Sequence, residues 1–219
     1  MTHKKFDLIV FDWDGTLMDS TTHIVRSIHQ VCQDFGLPAP DAISANYVIG
    51  LGLHDALQIA VPTLDPSDYP RFVERYRFHY LSRDSHIQLF AGVREMLDEL
   101  RSVGYLLAVA TGKSRVGLNR DLEAVQLITM FDATRCADET FSKPHPAMLN
   151  ELTWELRKDA KRTLMIGDTI HDLKMAANAG AAAVAVSYGA HSVGQLVKLR
   201  PRFCANTVTS LADWLRVYG

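Results

Sequence analysis

Five short runs of nearly continuous apolar character constrain this chain more than any other feature: residues 6–11, 105–110, 132–136, 163–166 and 182–187. A strand exposed on one face alternates apolar and polar side chains, whereas a strand covered on both faces does not. Between the runs lie stretches of helical periodicity, at 92–102, 114–124, 146–156 and 170–179. Gly104 and Gly180 follow two of them, where a helix C-cap is expected. Strands alternating with helices predict an α/β fold, a parallel sheet with helices on both faces.

One connection breaks this rhythm. About ninety residues separate the first run from the second, whereas a βαβ crossover needs only about a dozen. The intervening sequence does not read as a loop. Ile24, Ile28, Val31, Cys32 and Phe35 fall on one helical face after Ser20, Thr21 and Thr22, which are candidate N-caps. Tyr69, Phe72, Val73, Tyr76 and Tyr80 repeat at helical spacing after Pro66-Ser67. A small all-helical domain inserted at about residues 18–85 is therefore expected, leaving 1–17 and 86–219 as the sheet domain. The aromatic stripe reads as the core of the insertion.

In open parallel sheets, ligands bind beyond the carboxyl ends of the strands. The first run ends in Asp12-Trp13-Asp14-Gly15-Thr16, the second in Thr111-Gly112-Lys113, and the fourth in Gly167-Asp168-Thr169-Ile170-His171-Asp172. Lys143 precedes Pro144 in the loop before the fourth. Four carboxylates, a hydroxyl and a lysine would thus gather at one sheet edge. Carboxylates crowded together raise one another's pKa, and a hard divalent cation relieves that repulsion. Mg²⁺, which takes carboxylate, water and phosphate oxygens, suits such a set. Metal, anion site and carboxylate nucleophile together point to phosphoryl transfer.

These residues resemble the haloacid dehalogenase superfamily in its phosphatase branch, with four motifs in family order: Asp12-Trp-Asp14-Gly-Thr16-Leu, Thr111, Lys143-Pro144 and Gly167-Asp168-Thr-Ile-His-Asp172. The resemblance is greatest to the phosphoglycolate phosphatase group, whose helical cap follows the first motif. The segment Ile49-Gly50-Leu51-Gly52-Leu53 is similar to that group as well. The resemblance implies a Rossmann-like core with a helical cap, a Mg²⁺ cofactor and a small phosphorylated substrate. It further implies Asp12 as nucleophile and metal ligand, and Asp14 as acid and base with its backbone carbonyl on the metal. Thr111 and the Gly112 N–H would bind phosphoryl oxygens, Lys143 would balance charge, Asp168 would ligate the metal, and Asp172 would orient metal-bound water or Lys143.

The bland alternatives are specific. Asp172 could merely begin a helix. Ser114 reads as an N-cap and Lys113 as a surface residue. His54 and Arg115 also read as surface residues, and His171 has no assigned role. Pyrophosphatase, sugar-phosphate phosphatase and phosphomutase activities share this motif set and follow phosphomonoester hydrolysis in order. A phosphoacceptor signalling module would have no use for an inserted cap or for Asp14, and the presence of all the required side chains argues against a scaffold that kept the fold and lost turnover.

Partners of other classes are not expected. The formal net charge is −2 and no run of basic residues forms an arm for nucleic acid or an anionic membrane. The apolar stretch after the basic start is interrupted by Asp7 and closed by Asp12, unlike a signal peptide. No segment approaches the roughly 20 apolar residues of a membrane span. Cys32, Cys136 and Cys204 are far apart and outside any CxxC pair, as suits a reducing compartment. A cytoplasmic protein is expected.

Overall fold

The structure is a computed structural model that describes residues 4–81 and 88–219. Its centre is a six-stranded, all-parallel sheet of order β3-β2-β1-β4-β5-β6. The strands are β1 (Leu8–Phe11), β2 (Leu106–Thr111), β3 (Ala133–Cys136), β4 (Thr163–Gly167), β5 (Ala182–Val186) and β6 (Cys204–Ala205). All four β1 side chains are fully buried, as the unbroken run Leu-Ile-Val-Phe requires. The strand pairs with β2 on one side and β4 on the other, placing Phe11 beside Val109 and Ile166.

Helices cover both faces. Ile9 and Phe11 pack with Val109 and Ile166 against α5 (Val93–Ser102), α6 (Arg115–Ala124) and α10 (Val208–Tyr218), through residues such as Leu97, Leu118 and Leu211. Leu8 and Val10 point the other way, towards Met148 and Leu152 of α7 (Ala147–Glu155) and Met175 of α8 (Ile170–Ala179). Alternate residues of one strand therefore serve two different cores. Each fully buried aliphatic side chain contributes about 1.5–3 kcal/mol. Gly180 caps α8 in the left-handed conformation, with φ of 72°. β6 and α10 were not anticipated by the sequence reading; a short α9 (Val193–Leu196) lies just before them.

Between β1 and β2 stand α1 (Thr21–Asp34), α2 (Ala42–Tyr47), α3 (Leu53–Ala60) and α4 (Tyr69–Leu81). They enclose an apolar cluster of their own, in which Ile28, Val31, Leu57 and Phe72 are buried. The aromatic stripe is core at Phe72, which packs on Phe35 at 5.1 Å between ring centroids. Tyr76 and Tyr80 behave differently and reach the cavity described below. The expected boundary at 85/86 lies outside the described residues. The two connections run side by side, since Asp19 N–H donates to the Gln88 carbonyl and Phe90 N–H to that of Leu17.

Phe72→Ala removes the largest fully buried side chain from the helical cluster, and a cost of about 3–5 kcal/mol is expected. Denaturant unfolding followed by tryptophan fluorescence and circular dichroism checks this. A cost below 1 kcal/mol would contradict the packing described.

Candidate active site

The site lies where the strand order reverses around β1, beyond the carboxyl ends of β1, β2 and β4. Asp12 follows β1, and its N–H donates to the Ile166 carbonyl of β4 at 2.9 Å. Thr111 ends β2 and Asp168 follows β4. All three side chains are buried, as are Asp14, Lys143 and Asp172.

Lys143 stands at the centre. Its Nζ lies 2.6 Å from Asp12 Oδ1 and 2.7 Å from Asp172 Oδ1. Asp172 also closes a capping box at the start of α8: its Oδ2 accepts from the Thr169 N–H at 3.0 Å and the Thr169 hydroxyl at 2.6 Å. The helix-start reading of Asp172 and its contact with Lys143 therefore hold together. Asp168 accepts from Thr16 Oγ1 at 2.9 Å and from the Ala190 N–H at 2.7 Å. Asp12 Oδ2 is buried and accepts no hydrogen bond among the described residues.

Asp12, Asp168 and Asp172 bring carboxylate oxygens within 4.8 Å of one another. Burial raises the Asp12 carboxyl well above its ordinary pKa, and the charges of Asp172 and Asp168 push the same way against Lys143. Burial, then the charge of Asp172, push Asp168 up to about 7. Burial opposes the Lys143 ammonium, yet Asp12 and Asp172 hold its pKa above the ordinary value. One ammonium against three carboxylates leaves two negative charges uncompensated, which a divalent cation would cancel. An all-oxygen donor set with an unpartnered carboxylate oxygen fits Mg²⁺.

The turn after β1 depends on Gly15. Its φ is +81°, and a Cβ there would stand 2.2 Å from Asp168 Oδ2. Gly112 lies equally close to its surroundings: a Cβ would meet the carbonyl oxygens of Leu51 and Gly50 at 2.4 and 2.6 Å. The segment Ile49 to Leu53 thus reaches over the strand ends, tied by the Gly52 N–H to Ser142 Oγ at 2.8 Å.

Asp14 differs from the other carboxylates in its company. It accepts from Ser20 Oγ at 2.6 Å and from Lys113 Nζ at 2.9 and 3.0 Å. Lys113 also contacts Asp121 at 3.1 Å and the Tyr80 hydroxyl at 3.0 Å. The surface reading of Lys113 is thereby corrected: its side chain is only 11% exposed, and three acceptors from the turn after β1, from α6 and from α4 surround it. Burial opposes its charge, but Asp14, Tyr80 and Asp121 hold its pKa well above the ordinary lysine value. Only its position directly after Thr111-Gly112 could have signalled this.

Ser114 is the N-cap of α6, accepting from the Gly117 N–H. Arg115 pairs with Glu139 at 2.7 Å, away from the carboxylate cluster. His54 is exposed on the cavity wall. His171, without a role in the sequence reading, donates from Nε2 to the Tyr47 carbonyl at 2.7 Å. His191 accepts the Ile170 N–H at Nδ1, which leaves Nε2 to donate to the same carbonyl at 3.2 Å. Burial lowers both imidazole pKa values, consistent with neutral donors.

The family model of the haloacid dehalogenase-like hydrolases matches residues 9–186, from β1 to the end of β5. The chain belongs to the haloacid dehalogenase-like hydrolases. Among its relatives is a protein named "Probable phosphatase IndB" of Dickeya dadantii (strain 3937), 35% identical over 93% of this chain and 91% of that one. Another is the phosphoglycolate phosphatase of Mannheimia succiniciproducens, 30% identical over 85% of this chain and 88% of that one. A crystal structure described as a predicted phosphoglycolate phosphatase from Haemophilus somnus 129PT superposes with a TM-score of 0.87. That match covers 99% of this chain and all of the other, at 27% identity. This hydrolase is accordingly an enzyme, with a Rossmann-like core. None of its described helices is long and apolar enough to cross a membrane.

Lys113→Met is expected to destabilise this hydrolase by about 3 kcal/mol, because it leaves the buried Asp14 carboxylate without its cation. Paired urea titrations of wild type and variant measure the loss, and an unchanged midpoint would refute the pairing.

Proposed function

We propose that this hydrolase is a Mg²⁺-dependent phosphomonoesterase acting on a small phosphorylated metabolite through an aspartyl phosphate on Asp12. The observation that carries the reading is the unpartnered Oδ2 of a buried Asp12, beside Lys143 and two further carboxylates. A buried carboxylate with a free oxygen is costly unless something binds there. The names of the phosphatase relatives support the reaction class.

Asp12, Asp168 and the Asp14 backbone carbonyl would hold Mg²⁺, with Asp172 behind them on Lys143. When bound, Mg²⁺ supplies a positive charge that stabilises the phosphoryl oxygens. Asp12 attacks phosphorus, and the phosphorus–oxygen bond to the leaving alkoxide breaks as the bond to Asp12 forms. Lys143 stays within contact of the attacking carboxylate and offsets charge there. Thr111 and the Gly112 N–H hold phosphoryl oxygens at the end of β2. Asp14 gives a proton to the leaving alkoxide and then takes one from the water that hydrolyses the aspartyl phosphate. Its contacts with Lys113 and Ser20 fix the carboxylate in position for both transfers.

Residues 18–85 would form the cap and residues 1–17 with 86–219 the catalytic core. The three unpaired cysteines suit a cytoplasmic enzyme.

Asp12→Asn is expected to lower kcat on p-nitrophenyl phosphate by about a thousandfold or more. Wild-type turnover should vanish in EDTA and return with Mg²⁺. Acid-quenched wild type should carry a phosphoryl label that hydroxylamine releases. An Asp12→Asn variant with full activity, or wild-type activity indifferent to EDTA, would overturn the proposal.

A further inference from the structure

A cavity of about 730 Å³ opens from Asp12, Asp14 and Thr111 and runs between the core and the helices α1, α3 and α4. At roughly 30 Å³ per water it has room for on the order of twenty waters, far more than a glycolate-sized leaving group displaces. Beyond the catalytic end, the walls are largely hydrocarbon. Ile28, Leu53, Leu57 and Val73 line the interior, and Tyr76 stacks beside Tyr80 at 5.9 Å. The Tyr76 hydroxyl makes no hydrogen bond to another described residue, so it is free to meet a polar atom of a ligand.

The same character continues at the mouth. Val116 is 79% exposed and Phe141 68% exposed, and both line the cavity. These two side chains carry the hydrocarbon lining of the cavity out to its rim. The cations near the catalytic end are already engaged. Lys113 serves Asp14, Asp121 and Tyr80, and Arg120 holds Asp121 at 2.6 Å. Arg77 reaches the wall as an exposed side chain. An anionic leaving group held by Lys113 or Arg120 at the catalytic end would have to take that cation from its carboxylate.

The geometry points to a phosphate monoester whose leaving alcohol is bulky and apolar or aromatic, seated against Leu53, Leu57, Val73 and Tyr76 and reaching Val116 and Phe141. The inference rests on the phosphomonoesterase reading above and narrows its substrate class. Glycolate and phosphate, both small and anionic, are poor occupants of this space.

Ethyl, hexyl and 3-phenylpropyl phosphates have leaving alcohols of similar acidity, so their turnover reports the pocket rather than the chemistry. kcat/KM is expected to rise tenfold or more from the ethyl to the 3-phenylpropyl ester, and to exceed that for phosphoglycolate and pyrophosphate. The Kd values of ethylphosphonate and 3-phenylpropylphosphonate, measured by calorimetry with Mg²⁺, should differ in the same direction. Val116→Asn combined with Phe141→Ser, both exposed, should cut the 3-phenylpropyl-to-ethyl ratio at least threefold. A flat or falling series, faster turnover of phosphoglycolate or pyrophosphate, or an unmoved ratio in the double variant would overturn the inference. Turnover without size preference leaves the phosphatase reading intact, whereas size-selective phosphonate binding without turnover supports the pocket assignment and sinks the phosphatase reading.

Discussion

One ammonium shared by buried carboxylates sets the terms for the rest of this structure. Lys143 touches Asp12 and Asp172 at once, with side chains that are essentially inaccessible to water. Such a cluster persists only where the surrounding scaffold over-determines it. That scaffold is the central position of β1. A strand paired on both sides and covered on both faces cannot slip, so Asp12 is held at one height above the sheet. The capping box of α8 then fixes Asp172 from below, using the oxygen that Lys143 does not.

Much of this was legible in the sequence because its causes are local. An unbroken apolar run can only be a strand covered on both faces, or a buried helix too short to stand alone. The oversized first crossover pointed to helices rather than a loop, and the helical faces around Ile28 and Phe72 enclose an apolar cluster of their own. The carboxylates after β1 and β4 were readable because a parallel sheet gathers whatever lies immediately beyond its strand ends. What escaped notice has non-local causes. β6 has two residues and pairs with a single neighbour, so it leaves almost no periodic signal. Lys113 reads as solvated because its acceptors come from the turn after β1, from α4 and from α6, which meet it only in the folded chain.

The tyrosines of α4 show the same limit in another form. Their spacing gave one stripe, yet Phe72 belongs to the cluster inside the helices and Tyr80 to the network around Lys113. Periodicity assigns residues to a face of a helix. It does not say whether that face meets a packed core or a cavity, since hydrocarbon lines both. The distinction needs the position of the helix relative to the strand ends.

The docking of α2 on the core is made by the two neutral imidazoles of His171 and His191, and both donate to the main-chain carbonyl of Tyr47. A main-chain acceptor is present whatever side chain occupies that position. The acceptor in this contact therefore survives any substitution that leaves the α2 backbone in place. Loss of this anchor would require a change in the histidines or in the path of the backbone, not in the residue at position 47.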